Sequence, residues 1–451
     1  MPPHDPASPD RHRLSARPVS LPPPDELARA ALGTRPLRGA LDLARWCGPT
    51  TPVGPRGLPE AADVRDAVQA CALWPPGLEG RPLERRRWLD RLGAGAEEFV
   101  LPWRTAVVLG LVELGAGHAR PSRELEERVH APDRVLDWWS HVFGGRVEHA
   151  RGHPSPSGAD LLPQALRILY EAPDGARTPL DVLADRARSA RGADGPGRPG
   201  PRADDGLLRA LWRLTGTGAV VVGRHADDGP RSPWVCLTGL GRFGVRRILL
   251  AAGVRAPLVE DLAGAGELLD ALGASAPESR LCSFDAWAAG RTPARALREI
   301  AEAVRGPGRA RRRWTGATLL NTTSSDLVPD LWSLLGSDVP TDVCLAASVL
   351  LSSGMLPQHD VDRIMDRYGA WVVIDMFAAA LSPDEAHLRA FLTAECTEGM
   401  ESLILADVAR LGQDRRHPDT VTVLEAIGRQ HPDPGVAATA REAVVRLASP
   451  S

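Results

Sequence analysis

Lysine is absent from this chain of 451 residues, in which all 54 basic residues are arginine. A Walker-type phosphate loop, a lysine Schiff base and the lysine of a protein kinase all need an ammonium group, so these sites are excluded. Codon bias in a GC-rich genome accounts for the absence, because the chain also has a single asparagine, Asn321, and only two tyrosines.

Several other features are scarce or missing. No apolar run reaches the length of a membrane span, and the first thirty residues lack the apolar centre of a signal peptide, so a cytoplasmic protein is expected. A formal net charge of −3 excludes a positively charged surface over the whole molecule of the kind that binds nucleic acid, although a local basic patch is still allowed. The six cysteines form no Cys-x-x-Cys pair, which argues for reduced thiols and against zinc-finger or redox motifs.

The chain divides into four predicted segments. Residues 1–36 are rich in proline and are expected to be a disordered lead. Residues 37–150 show apolar spacing typical of helices and are expected to form an N-terminal helical module, with a degenerate winged helix as the alternative. Residues 158–264 and 275–449 are interpreted as two further domains, so the expected fold class is mainly α.

The segment 158–264 predicts three helices, a hairpin formed by "AVVVG" and "WVCLT", and a closing helix. Within it, "VCLTGLGR" resembles the Leu-Thr-x-x-Gly-Arg segment of winged helix-turn-helix regulators, and the resemblance implies that fold with the hairpin as the wing. Thr238 is then the N-cap of the closing helix, Gly241 allows close packing, and Gly253 ends the helix. Thr178 is a candidate N-cap of the second helix, with Pro179 at its first position. The stretch Gly48–Val68 resembles the opening segment of uncharacterised actinobacterial proteins that also carry this unit.

Beyond residue 275 the helical segments come in pairs, and the last two each open with His-Pro-Asp. This region resembles a HEAT-like repeat array, which implies an α-solenoid. Because the upstream repeat lengths vary, an irregular solenoid and a plain helical bundle stay open as alternatives.

The spacing Gly239-x-Gly241-x-x-Gly244 also matches the phosphate-binding turn of dinucleotide-binding enzymes. That turn requires a preceding parallel strand, whereas here the strand has a hairpin partner and only helices follow. A dinucleotide-binding enzyme is therefore the second alternative, and no cofactor is expected.

Candidate metal ligands and catalytic groups are few. His149 and His153 have the spacing of two ligands on one helix, but Gly152 favours a loop there. His359 and Asp360 resemble the His-Asp pair of metal-dependent phosphohydrolases, yet they open a helix where acidic residues are favoured anyway. Asp375 interrupts an apolar stripe and is expected to lie at its edge; the alternative is a core position paired with an arginine. No metal site and no catalytic residue are predicted.

Arginines provide the remaining candidates. We expect a non-catalytic interaction or scaffold protein with an unidentified protein partner and no membrane contact, with a DNA-binding regulator as the alternative. The candidate contacts for nucleic acid or an acidic partner are Arg209, Arg213, Arg224, Arg231, Arg309, Arg311, Arg312, Arg313 and Trp314.

Overall fold

The computed structural model describes residues 16–75, 77–78, 80–93, 95–152, 159–190, 202–224, 233–273, 277–381 and 417–448. The chain forms two compact units. One, here the middle unit, spans Leu21–Val254; the other, the terminal unit, combines the residues up to Ser20 with those from Arg255 onward. The two predicted segments 37–150 and 158–264 therefore belong largely to a single unit.

The middle unit contains helices and short strands. Its elements are α1 (Pro24–Leu32), α2 (Arg35–Trp46), β1 (Thr51–Pro52), α3 (Ala61–Ala70), α4 (Pro82–Leu89), α5 (Glu97–Val108), β2 (Val112–Leu114), β3 (His118–Pro121), α6 (Leu125–Val129), α7 (Pro132–Gly152), α8 (Leu162–Glu171), β4 (Thr178–Pro179), α9 (Leu180–Ala190), α10 (Arg202–Thr215), β5 (Val220–Arg224), β6 (Pro233–Leu237) and α11 (Gly239–Ala251).

Helix α1 lies inside the segment that was expected to be a disordered lead, so that prediction is wrong for these residues. Pro24 occupies the first turn, where its missing N–H costs no hydrogen bond, and Asp25 and Glu26 face the positive end of the helix dipole. Leu27 and Ala31 are buried by the helix. The proline run thus starts a helix, and residues 1–15 of the predicted lead lie outside the described part.

The same order of elements occurs twice in the middle unit. The first repeat runs α2–β1–α3–α5–β2–β3, with α4 inserted, and the second runs α8–β4–α9–α10–β5–β6. Each repeat has a three-stranded antiparallel sheet in which the last strand lies between the other two, in the orders β1-β3-β2 and β4-β6-β5. The described strands are therefore all antiparallel within these two sheets.

Matching residues occupy matching places in the two repeats. The edge strands are Thr51–Pro52 and Thr178–Pro179, and a proline is tolerated there because an edge strand need not donate to a second neighbour. Thr178 therefore lies in a strand, paired with Val235, and α9 begins only at Leu180, so the predicted N-cap is wrong.

The terminal unit is helical in the part that the structure describes. Its helices are α12 (Ala265–Gly273), α13 (Pro277–Ala288), α14 (Pro293–Val304), α15 (Ala310–Leu320), α16 (Ser324–Leu335), α17 (Pro340–Ser352), α18 (Gln358–Leu381), α19 (Thr420–Gln430) and α20 (Pro434–Ala448). Ahead of them, Val19 forms a parallel bridge with Leu258, which ties the N-terminal residues into this unit.

Two apolar clusters form the core of the terminal unit. One extends from Val259 to Trp371, and the other joins the second half of α18, from Val373, to α19 and α20. Neighbouring helices pack in pairs such as α16 with α17 and α19 with α20. The expected mainly α class is confirmed, and among the described helices none combines the length and apolar character that a bilayer crossing needs.

Candidate functional site

The outward side of α10 is the first candidate site. Its apolar residues Leu207, Leu211 and Leu214 point into the core, as their spacing along the helix predicts. The opposite side exposes Asp205, Arg209, Trp212 and Arg213, which we call the α10 face. Trp212 is 52% exposed, which is unusual for so large an apolar side chain.

Strand β5 follows α10 and exposes two further side chains. Val221 is 45% exposed, and Arg224 is exposed at the end of the strand. The α10 helix packs on β5, so both elements belong to one module. Three of the predicted contacts, Arg209, Arg213 and Arg224, are therefore on the surface, whereas Arg231 lies outside the described residues.

The Leu-Thr-x-x-Gly-Arg segment has a structural explanation at each polar position. The hydroxyl of Thr238 accepts a hydrogen bond from the Gly241 N–H at 3.0 Å and donates to the Gly218 carbonyl at 2.7 Å. The predicted N-cap is thus confirmed. Arg242 is buried, donates to the Ala172 carbonyl at 2.9 Å and pairs with Asp174, which fastens the loop after α8 to α11.

The glycines of this segment serve packing. A Cβ at Gly241 would lie 2.0 Å from the Ala219 carbonyl oxygen, and one at Gly244 would lie 2.7 Å from both Trp139 and Phe143. Because these positions press against protein, no phosphate can approach them as it approaches a dinucleotide-binding turn. Helix α11 ends at Ala251, just before Gly253 with a φ of 76°, as predicted.

The arginines near the start of α15 are largely used within the terminal unit. Arg312 donates to Asp270 at 2.6 Å, Arg311 donates to the Gly273 carbonyl at 3.0 Å, and Arg309 donates to the Ala303 carbonyl at 3.1 Å. Trp314 is 41% exposed. These contacts leave the predicted cluster with less free cationic surface than its sequence indicates.

Arg313, the fourth arginine of that group, is only 1% exposed, so its prediction as a surface contact is wrong. It lies among Cys344, Asp375, His417 and Asp419, and these five residues are here called the Arg313 cluster. The expectation that Asp375 lies at the edge of an apolar stripe is also wrong, because this carboxylate is 2% exposed. The alternative, an arginine partner from another helix, is what the structure has.

Hydrogen bonds connect the members of the Arg313 cluster. The Arg313 Nε donates to Asp375 Oδ1 at 2.8 Å and to Oδ2 at 3.0 Å, and another of its nitrogens pairs with Asp419. It also donates to the carbonyls of Val304 and Gly306 at 3.1 and 3.0 Å. A buried guanidinium whose donors are engaged in this way avoids the cost of an unpaired buried charge.

Cys344, Asp375 and His417 each offer a ligand atom within 4.8 Å of the others, which is compact enough for a metal centre. Their hydrogen bonds do not fit one. His417 Nδ1 accepts the Asp419 N–H at 3.2 Å, so the ring proton is on Nε2, which donates to Asp375 Oδ1 at 3.0 Å. A metal ion would need the Nε2 lone pair, and it would have to compete with the Arg313 cation for Asp375.

The electrostatics of the Arg313 cluster also favour a structural role. Burial raises the pKa of the Cys344 thiol well above its usual value, and the nearby Asp375 charge adds to the effect. Desolvation lowers the pKa of Arg313, but the charges and hydrogen bonds of Asp375 and Asp419 outweigh it, so this pKa is raised overall. The cluster therefore holds a permanent cation and a neutral thiol, which is not a nucleophile.

An open cavity of about 430 Å³ lies in the middle unit and is lined by residues that include Arg45, Trp46 and Cys71. Arg45 is paired with Glu126 at 2.9 Å. Burial raises the pKa of Cys71 to about 11, with the charges of Asp42 and Asp66 adding to the shift. This cavity thus has no activated nucleophile.

The remaining predicted candidates are not brought together. His359 is exposed at the start of α18, where its Nε2 is 3.6 Å from Asp360, and Asp360 also binds Arg363 at 2.8 Å. His149 lies in α7, which continues to Gly152, so the expected loop is wrong at this residue. His153 lies outside the described residues.

Sequence reasoning offered a first copy of the repeat only as the alternative of a degenerate winged helix in residues 37–150. The two Thr-Pro dipeptides, each opening an edge strand, and the left-handed glycines Gly110 and Gly218 were the available signals. Comparisons with protein-family models, with curated proteins and with solved structures find no match for this chain.

Proposed function

We propose that this chain is a non-catalytic interaction protein whose middle unit contains two winged-helix modules and whose α10 face binds a protein partner. The observation that carries the proposal is the exposure of Trp212 between Arg209 and Arg213. Tryptophan and arginine are among the residues most enriched where protein interfaces concentrate their binding energy.

The order of elements in each repeat supports the winged-helix assignment. Three helices precede a β-hairpin, and a short strand after the first helix completes the sheet. In this fold α5 and α10 are the third helices, and the third helix commonly makes the external contacts. The helix pairs of the terminal unit support a HEAT-like array, which would act as the scaffold part.

The charge of the α10 face favours protein over DNA. A DNA-reading third helix presents its N-terminal residues to the major groove, and in α10 this end carries the exposed Asp205. The first turn of α5 likewise carries Glu97 and Glu98. Carboxylates facing phosphates are unfavourable, whereas an exposed tryptophan and valine suit a partly apolar protein surface.

The chemistry-bearing residues support the non-catalytic part of the proposal. All five residues of the Arg313 cluster are buried, and their hydrogen-bond donors and acceptors bind one another. The described cysteines are free, which fits the reducing environment of the cytoplasm, where we place the protein.

Affinity capture from the native cell extract tests this proposal. We expect specific proteins to co-purify with the wild-type chain and to be lost with Trp212→Ala. Val445→Ala is the matched control, because Val445 is 66% exposed but belongs to the terminal unit. The proposal is wrong if Trp212→Ala retains every co-purifying protein that the control retains.

A DNA-binding regulator is the second candidate, favoured by the exposure of Arg209, Arg213 and Arg224 in one module. These arginines could neutralise phosphates and release the counterions bound there. Binding would then weaken steeply with added salt, because salt lowers the free energy gained from that release. Titration of a labelled mixed-sequence duplex at low and moderate salt tests this candidate. Salt-sensitive binding that is lost in Arg209→Ala would favour it, and no binding at low salt would eliminate it.

A further inference from the structure

The third helices of the two repeats can be compared position by position. Aligning the left-handed glycines Gly110 and Gly218 places Val112 on Val220, the first residues of the two second strands. The same alignment superposes buried residues of α5 on buried residues of α10: Phe99 on Leu207, Trp103 on Leu211 and Ala106 on Leu214. Helix α5 is therefore the counterpart of α10, and its outward side is the counterpart of the α10 face.

The outward side of α5 has a different chemistry. It exposes Glu97, Leu101, Arg104 and Val108, which we call the α5 face. Val108 is 63% exposed and Leu101 is 37% exposed. The α5 face is thus apolar with an acidic first turn, because Glu98 adjoins Glu97.

The two faces share an acidic residue in the first turn, Glu97 and Asp205, but differ in chemistry at the positions that follow. Leu101 corresponds to Arg209, and Thr105 corresponds to Arg213, so the second repeat has cations where the first has an apolar or a neutral residue. The tryptophan at 212 has no aromatic counterpart on α5, since the equivalent residue is Arg104. With Glu98, the α5 face carries two carboxylates and one cation, Arg104, whereas the α10 face carries two cations and one carboxylate, Asp205.

We infer that the α5 face of one copy of this chain binds the α10 face of a second copy. This inference rests on the proposed function and names its partner. Across the proposed contact, Leu101 and Val108 offer Trp212 an apolar surface. The carboxylates of the first turn of α5, Glu97 and Glu98, offer opposite charges to Arg209 and Arg213. Complementary charges of this kind select a partner and fix its orientation.

A second copy fits better than an unrelated partner because every chain carries both complementary faces. When two copies use both faces on each other, the contact is made twice and the assembly closes as a dimer, whereas a head-to-tail arrangement would give rings or filaments. Two contacts also bury more surface than one helix face can, which helps to reach the roughly 1,000 Å² expected of a specific interface.

The test is the molar mass of the purified full-length chain, measured by light scattering and by sedimentation over a concentration series. We expect twice the 48.2 kDa of the single chain. Trp212→Asp and Val108→Asp should each weaken self-association about thirtyfold, as the loss of a central interface residue does. Leu83→Asp is the control, because Leu83 is 76% exposed in α4, outside both faces.

Mixing separates a specific contact from a general loss of solubility or folding. A Trp212→Asp chain keeps an intact α5 face, and a Val108→Asp chain keeps an intact α10 face, so the mixture should form heterodimers through one wild-type contact. Circular dichroism checks that each variant is folded. Charge reversal adds a second route: Glu97→Arg should weaken the dimer, and Arg209→Glu in the partner should restore it.

A monomer at all concentrations, or a dimer that both aspartate variants leave intact, would overturn the inference. A failure of this inference can be distinguished from a failure of the proposed function. If the purified chain is monomeric while capture from extract still depends on Trp212, a different protein covers the α10 face and only the inference falls.

Discussion

Arg313 and Asp375 form a buried ion pair in the terminal unit, in which one guanidinium nitrogen donates to both carboxylate oxygens at 2.8 and 3.0 Å. The pair joins α15 to α18, and Asp419, which also binds Arg313, lies at the start of α19. The Arg313 cluster thus fastens the last helices to the rest of the unit.

Replacing Arg313 should therefore destabilise the terminal unit strongly. Arg313→Leu leaves Asp375 and Asp419 as buried carboxylates without their cation, and breaking such a pair from one side costs about 3–5 kcal/mol. The measurement is the free energy of opening of α15, α18 and α19 by hydrogen exchange. Arg312→Leu is the control, since its partly exposed pair with Asp270 contributes about 1 kcal/mol or less. Equal losses in the two variants would contradict the structural role of the cluster.

Gly241→Ala should destabilise the middle unit. The added Cβ would lie 2.0 Å from a backbone carbonyl oxygen, which cannot move as a side chain can, so we expect a loss of about 2 kcal/mol or more. Gly144→Ala in α7 is the control, because its Cβ meets nothing within 4 Å and an alanine stabilises a helix interior by about 0.5–1 kcal/mol. The free energy of unfolding of both variants is measured by hydrogen exchange of the middle unit's amides over a series of denaturant concentrations. A tolerated Gly241→Ala would contradict the close packing of α11 against the backbone of Ala219.

The thiol of Cys71 should react slowly at neutral and mildly alkaline pH. Its pKa is raised to about 11, so its thiolate forms only as the pH approaches that value. In the unfolded chain the same thiol should titrate near its usual pKa of about 8.5. Alkylation at pH 8, measured by mass spectrometry of the Cys71 peptide, should therefore be roughly two-hundredfold slower in the folded protein, given the two pKa values. Equal rates would show that Asp42, Asp66 and burial do not hold the thiol neutral.

Local chemistry made part of the fold predictable from the sequence. Thr238 and Gly253 were assigned correctly because an N-cap and a left-handed helix end depend on a few neighbouring residues. The helical pattern of the terminal unit was predictable for the same reason, since apolar spacing repeats along each helix.

Other features depend on distant parts of the chain. Asp375 looked like an edge residue because its partner Arg313 is 62 residues away in sequence, and no local pattern joins them. The strand at Thr178 is too short to show an alternating apolar pattern. Only the pairing of Thr178 with Val235 identifies it as a strand. The proline-rich start was misread because α1 is stabilised by burial of Leu27 and Ala31, whereas composition alone indicates disorder.

The most direct measurement of the central claim, that the α10 face binds protein, is photo-crosslinking in the native cell. A photoreactive phenylalanine derivative replaces Trp212, and in a control chain it replaces Val445 of the terminal unit, which is also exposed. The account predicts covalent adducts with protein at position 212 that are absent at position 445. Adducts with DNA at position 212, or no adduct there, would contradict it.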